Sequence, residues 1–230
     1  MSLLVMQAIF RQPRPARFPA NAYFNFNHNK KESMFDFKTA AVEAVSKSRT
    51  KRPTHVFRQF PENPDFYYPE INVREIIRRH GSPEWRAGVL TNELHGHLGI
   101  YAIIGVKMGI RANELLGTRL DDIRVLSYAG SRPPLSCMND GLQVSTGATV
   151  GHGLFQVADV KNVRPEATFS FWNREVTLQL KPEYSVLIQD NIADGICRYG
   201  THTEAYWEYV RNLAIRYWLE FDRHEIFYQL

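Results

Sequence analysis

The 230-residue chain has 44% hydrophobic and 23% charged residues, which is ordinary for a globular protein and excludes collagen-like, coiled-coil and wholly disordered classes. The formal net charge of +4 is uneven, because residues 1–60 contain eleven Lys and Arg against three Asp and Glu. Since the basic charges form no dense run, we expect neither a nucleic-acid nor a membrane partner.

The cysteines and the apolar stretches predict a cytoplasmic protein. Residues 1–10 are apolar but lack the positive charge and cleavage site of a secretory signal. The longest later apolar stretch, residues 98–110, contains Lys107 and is too short to span a bilayer. In a reducing compartment Cys137 is available as a metal ligand, whereas Cys197 has no interpretable motif and we expect it to pack.

The chain divides into a basic, proline-containing extension over residues 1–71 and a domain over residues 72–230. Asp36 is placed to cap a short helix that continues through Ser48. Residues 49–71 contain four prolines and predict a linker or a strap over the domain.

Two helices are predicted at the start of the domain. The first ends at Gly81, and its apolar residues at helical spacing are Val73, Ile76 and Ile77. The second is apolar enough to be central and ends at Gly117. Gly105 and Gly109 lie one turn apart in it and would allow another helix to approach closely, which makes this face a candidate contact of a homodimer.

The rest of the domain predicts an α+β fold. Strand patterns occupy residues 123–129, 154–160 and 167–180. The last is long enough for a hairpin that turns at residues 172–174. Between the first two, Ser136 is placed to cap a short helix from Cys137 to about Ala148. A capping box at residues 201–204 predicts a terminal helix, so the order is helix, strand, helix, two or three strands and helix.

The sequence His95-Gly96-His97 is the first candidate site. Two histidines two residues apart would diverge on a regular helix, but Gly96 allows a turn that brings both imidazoles toward one point. Neutral imidazole binds zinc, nickel, copper or iron, and a third donor is needed to hold the ion well. The pair also fits a simpler interpretation, in which the histidines cap a helix start and satisfy buried backbone groups.

Cys137 is the candidate third donor. It falls at the predicted first turn of a helix, where the helix dipole lowers the pKa of a thiol and favours the thiolate that binds metal. The alternative is a small buried hydrophobic residue.

Two blocks resemble the FmdE/FwdE family of formylmethanofuran dehydrogenase components. Residues 93–99, Glu-Leu-His-Gly-His-Leu-Gly, continue into Gly-Val-Lys-Met-Gly at residues 105–109. Residues 137–153 then read Cys-Met-Asn-Asp-Gly-Leu-Gln-Val-Ser-Thr-Gly-Ala-Thr-Val-Gly-His-Gly, similar to the family's Cys-x-x-Asp-Ala-Ile-Gln, Thr-Gly-Cys-Thr and Gly-Lys-Gly blocks. Two matched blocks in order are more specific than either alone.

The resemblance covers residues 72–225 and implies an α-β-α-β(3) core with a mixed sheet. It also implies a metal, usually zinc, although another transition metal such as nickel suits the same donors. Ligand roles carry over to His95, His97 and Cys137, with Asp140 as a hydrogen-bonding neighbour that orients a ligand or water.

The chain departs from the family pattern at three positions. Gly99 and Ala148 replace cysteines, and His152 replaces a lysine between two glycines. The set of donors therefore shifts from sulfur toward nitrogen. His152 is a candidate fourth ligand, or equally a solvent-facing loop histidine. A cysteine-rich ribbon tail is absent from the sequence.

These features support three functions. In the first, an open position on the metal acts on a small-molecule ligand, as in an enzyme related to one-carbon metabolism. In the second, the protein is an accessory or metal-handling protein without turnover. In the third, Cys137 is the nucleophile of a hydrolase with His97 or His95 as its base, although no oxyanion-hole motif is visible.

Overall fold

The computed structural model describes residues 59–230. The predicted helix from Asp36 to Ser48, and the extension through residue 58, lie outside the described residues. The helices are α1 (Val73–His95), α2 (Ile100–Leu116), α3 (Met138–Thr146), α4 (Pro182–Tyr199) and α5 (Glu204–Glu220). The strands are β1 (Arg124–Ser127), β2 (Phe155–Val157), β3 (Glu166–Phe171), β4 (Arg174–Leu180) and β5 (Phe227–Gln229). Short 3-10 helices cover Pro64–Phe66 and Leu135–Cys137.

The five strands form one mixed sheet in the order β2-β1-β3-β4-β5. β1 and β2 run parallel, with Val125 opposite Phe155, and the other neighbours are antiparallel. The sequence α2-β1-α3-β2-β3-β4 is the α-β-α-β(3) core that the resemblance implies, so the α+β prediction is confirmed. The predicted hairpin is also correct, and Trp172 in its turn adopts a φ of 54°.

Helix α2 is the centre of the fold, because almost every one of its side chains is buried. Its two glycines are in contact with α3 of the same chain. A Cβ at Gly105 would collide with the carbonyl oxygen of Met138, and one at Gly109 would collide with Ser145 Oγ. The close helix approach that these glycines predict is therefore intramolecular, and this face carries no argument for a dimer.

Helix α1 is longer than the sequence predicts. Gly81 does interrupt it, with a φ of 82° and a ψ of 159°, but the helix resumes at once and continues to His95. Pro83 is compatible with this restart because the first turn of a helix needs no N–H donor from it.

Three other local features differ from the expectations. Helix α4 and strand β5 were not predicted. Ser136 makes no capping hydrogen bond to α3, which has Cys137 in the N-cap position. The terminal helix is capped by Thr203, which accepts a hydrogen bond from the Tyr206 N–H, rather than by Thr201.

Residues 59–72 pack against α1 and α5. The Pro61 carbonyl accepts hydrogen bonds from the Tyr67 hydroxyl at 2.9 Å and from Trp85 Nε1 at 3.2 Å. Trp85 stacks on Trp218 of α5 with ring centroids 5.2 Å apart, and Tyr67 meets Trp85 edge-on. This aromatic cluster forms a second, smaller core beside the sheet, and Gly88 lets Trp218 lie against the backbone of α1.

The buried Lys107 of α2 has an ionic partner. Its Nζ donates to Glu84 Oε1 at 2.6 Å, and both side chains are fully buried. Glu84 also accepts from Arg223, which in turn binds Glu114 at the end of α2. The described residues contain no helix that is both long enough and apolar enough to cross a bilayer.

Candidate functional site

His95 and His97 are brought together by the end of α1. His95 is the last residue of the helix, and Gly96 follows in the left-handed conformation with a φ of 79°. The Gly96 N–H donates to the Asn92 carbonyl, and the Asn92 side chain accepts from the Gly99 N–H at 3.3 Å. The imidazole centroids lie 4.4 Å apart, so the turn converges the two rings at a helix end.

Asp140 fixes the orientation of the His95 ring. It lies in the first turn of α3, where a carboxylate is favoured by the helix dipole. Its Oδ2 lies 2.6 Å from His95 Nδ1. Because a carboxylate only accepts, Nδ1 carries the proton, and in a neutral ring the free lone pair is then on Nε2.

His95 Nε2 is a buried atom without a hydrogen-bond partner among the described residues. Buried polar atoms are normally satisfied, so this one calls for a ligand. Gly99 stands beside it, and a Cβ at that position would lie 3.1 Å from Nε2. The glycine that replaces the family cysteine therefore leaves the space in front of this lone pair open.

His97 lies between His95 and an aromatic ring of α5. Its ring centroid is 5.2 Å from that of Trp207. Although the residue is exposed overall, partial desolvation of the ring, followed by the proximity of His95, lowers the pKa of His97. A hydrogen bond to the His95 backbone opposes this shift. Neutral imidazole, the form that binds a metal, is thus favoured.

Cys137 begins α3, three residues before Asp140. Residues at this spacing are neighbours on a helix, so both side chains belong to the same end of α3. Burial, and then the charge of Asp140, raise the pKa of the Cys137 thiol. This is the reverse of the expected shift, because desolvation and a nearby carboxylate outweigh the helix dipole. The other cysteine, Cys197, is exposed on α4.

His152 and Ala148 lie at the other end of α3. His152 Nδ1 donates to the Gly147 carbonyl at 3.0 Å, and it is also 3.4 Å from Asp121 Oδ1. Gly147 is the C-cap of the helix that Cys137 begins, so His152 is separated from Cys137 by the length of α3. Ala148 is fully buried. The structure therefore joins His95, His97 and Asp140 and keeps His152 apart from them.

The donors only partly fit a metal ion as they stand. No group of three or more His, Cys, Asp or Glu side chains within residues 59–230 has the spacing of a complete metal site. The pair of His95 with Asp140, in contrast, has the form of a ligand histidine, in which a carboxylate holds one nitrogen and leaves the other free. A side-chain shift at His97 or Cys137 is needed to add further donors.

A cavity of about 730 Å³ adjoins the histidine pair. His97 and Gly96 line one end of it, and the remaining wall comes from α1, α5 and residues 67–71. Sequence reasoning missed this cavity, because its wall combines residues from distant parts of the chain that share no motif.

The fold and the site define an α+β protein in which a histidine pair, oriented by a carboxylate, opens toward a cavity. Comparison with protein families agrees with this description. The model of the family described as FmdE, molybdenum formylmethanofuran dehydrogenase operon, matches residues 94–227, which is more than half of the chain. The chain therefore belongs to the FmdE family. No curated protein matches it.

Proposed function

We propose that this protein binds one transition-metal ion, with zinc as the expected metal, and acts through it on a small molecule in the adjoining cavity. The observation that carries the proposal is the buried, unpartnered Nε2 of His95, whose opposite nitrogen is held by Asp140. Membership in the FmdE family supports it. We place this action in the cytoplasm.

In this proposal His95, His97 and Cys137 hold the ion, and Asp140 positions His95. The metal would supply a Lewis acid that activates water or polarises a carbonyl group. His95 provides a preset lone pair, and His97 is neutral at physiological pH because its pKa is lowered. The open space beside Gly99 leaves room for the ion and a further ligand.

The alternatives differ in their support. A metal-handling or accessory protein would use the same ligands without turnover, and the cavity beside His97 favours the small-molecule function over it. A cysteine hydrolase is less favoured, because the pKa of Cys137 is raised and His95 is engaged by Asp140.

Metal analysis of protein purified without an affinity tag tests the proposal. We expect about one transition-metal ion per chain, bound with coupled proton release. His95→Gln should abolish retention after dialysis, and Asp140→Asn should weaken the metal affinity roughly 10- to 100-fold, because it removes the partner that orients the ligand.

The matched control is His224→Gln. His224 also pairs with a carboxylate, Asp222 Oδ1 at 2.7 Å, but it is exposed and lies outside the site. Its metal content should equal that of the unmodified protein. Metal-free protein that fails to take up zinc, cobalt or nickel would contradict the proposal. His152→Gln decides whether that residue contributes, and on its position we expect unchanged metal content.

A further inference from the structure

The cavity beside the histidine pair has aromatic walls. Three of the four tryptophans in the chain line it, namely Trp85, Trp207 and Trp218, together with Tyr67 and Tyr68. Its volume of about 730 Å³ lies in the range of small-molecule sites. Flat aromatic walls favour a ligand with a flat ring, because stacked and edge-on ring contacts add to the burial of apolar area.

Two buried N–H donors of this cavity have no acceptor. Trp218 is 1% exposed, and its Nε1 has no hydrogen-bond partner among residues 59–230. Arg211 Nε is likewise buried and unpartnered. Both residues line the cavity, and they lie two turns apart on α5. By contrast, Trp85 Nε1 donates to Pro61. The two free donors call for a ligand that accepts hydrogen bonds.

The guanidinium of Arg211 is free to bind an anion. It forms no hydrogen bond or ion pair within the described part of the chain, and its one aromatic contact there is over the ring of Tyr68 at 5.6 Å. Most arginines at such positions bind a carboxylate or phosphate, for which the planar fork of guanidinium donors is shaped. The charge, the fork and the ring beside it all favour a planar oxyanion.

The glutamates of the cavity limit the charge of that anion. Glu93, Glu204 and Glu208 also line it, and all three are exposed. They add negative potential around the opening, which opposes a dianion more strongly than a monoanion. A single carboxylate satisfies the inner donors at the lowest electrostatic cost.

We propose that this cavity binds a flat-ring carboxylate, with its oxyanion at Arg211 and its ring against the tryptophans. The inference goes beyond the proposed metal function and does not require the metal. A ligand bound in this way would also lie next to His97 at the end of the cavity, within the same chamber as the metal donors.

Isothermal titration calorimetry with 2-naphthoate tests this inference. We expect saturable binding that is clearly tighter than that of the neutral isostere 2-naphthamide and of the dianion 2-naphthyl phosphate. Arg211→Gln should weaken 2-naphthoate binding roughly tenfold or more, as the loss of a charge-assisted hydrogen bond implies. Trp218→Phe, which keeps a ring but removes the N–H, should weaken it by a smaller factor.

Arg216→Gln is the matched control. Arg216 lies on the same helix, is exposed and pairs with Glu220 at 3.8 Å, outside the cavity. Its affinity for 2-naphthoate should be unchanged. Each titration is run before and after chelator treatment, with metal content measured on the same samples, so loss of the metal function and loss of this site are separate results. Absence of saturable binding, equal affinity for the amide, or an Arg211→Gln variant that binds normally would overturn the inference.

Discussion

At the scale of single residues, Asp140 has two opposing effects on its neighbours. It holds the proton of His95 on Nδ1, which leaves Nε2 free for a ligand. The same carboxylate helps to raise the pKa of Cys137, which keeps that residue a thiol in the absence of metal. A bound cation would reverse the second effect, because a coordinating thiol is deprotonated outright.

Cys137 should therefore react slowly with iodoacetamide at neutral pH in metal-free protein. A raised pKa means a smaller thiolate fraction at pH 7, and the thiolate is the reactive form. The rate should rise steeply only above the ordinary thiol pKa of roughly 8.5. The Cys197→Ser variant isolates the reaction, since Cys197 is exposed. Rapid labelling at pH 7 would indicate that the helix dipole governs this thiol after all. In metal-loaded protein we expect no labelling.

At the scale of elements, the crossing of α2 and α3 determines where the site lies. Helix α3 carries Asp140 to His95 only because α2 presents glycine where the backbone of α3 passes. The contact is reciprocal, since a Cβ at Gly141 of α3 would collide with the carbonyl oxygen of Ala102. Such backbone contact leaves no room for a methyl group on either helix.

Gly105→Ala should destabilise the protein. Alanine within a helix normally gains about 1 kcal/mol over glycine. Here the added methyl group meets the Met138 carbonyl, and overpacking of this kind costs about 1–3 kcal/mol, so we expect a net loss of unfolding free energy in urea titrations. Gly151→Ala is the control, because its nearest neighbour is Thr149 Oγ1 at 3.7 Å. Equal stability of the two variants would argue against this crossing.

Local patterns predicted the elements whose signals are local. The apolar spacing of α2, its stop at Gly117 and the hairpin at Trp172 were all readable from neighbouring residues. The restart of α1 after Gly81 was missed, because glycine followed shortly by proline reads as a break and the packing of Trp85 overrides it. The Ser136 cap was wrong because a 3-10 turn occupies those residues.

At the scale of the whole molecule, buried charges tie distant segments together. Lys107 of α2, Glu84 of α1 and Arg223 after α5 form one connected group. Burial lowers the pKa of Lys107, with Glu84 acting in the opposite direction. Breaking a buried ion pair by removing one partner typically costs about 3–5 kcal/mol, so these three segments are strongly interdependent.

The unfolding free energy should decrease as the pH falls from about 7 to 5, because His80 is buried beside this group. Its Nε2 donates to the Leu219 carbonyl at 3.0 Å. Burial, and then the charge of Lys107, lower the pKa of His80 in the folded protein. The unfolded chain, with a histidine pKa of roughly 6.5, then binds more protons below that pH, and stability is lost.

Urea denaturation at several pH values measures this effect. His80→Gln keeps an N–H donor for Leu219 but cannot titrate, so its stability should depend less on pH over the same interval. A slope identical to that of the unmodified protein would show that His80 does not control the loss. His224→Gln, which changes an exposed histidine, is the corresponding control.

The site was predictable only as far as its motif extends. His95, His97 and Cys137 were named from short blocks, because turn chemistry and helix starts are local. The cavity was not predictable, since Trp85 and Arg211 come together only when α1 and α5 pack. The free nitrogen of His95 was also hidden, because it depends on which of its two ring atoms Asp140 occupies.

The hydrogen bonds to Pro61 make folding and ligand recognition separable. The segment before α1 adds no strand to the sheet, yet it supplies Tyr67 and Tyr68 to the cavity. A chain cut just before Asn72 would keep α1 to α5 and the whole sheet but would turn the chamber into an open groove with Trp85 uncovered. Sequence variation in residues 60–71 can thus retune the ligand while the scaffold stays the same.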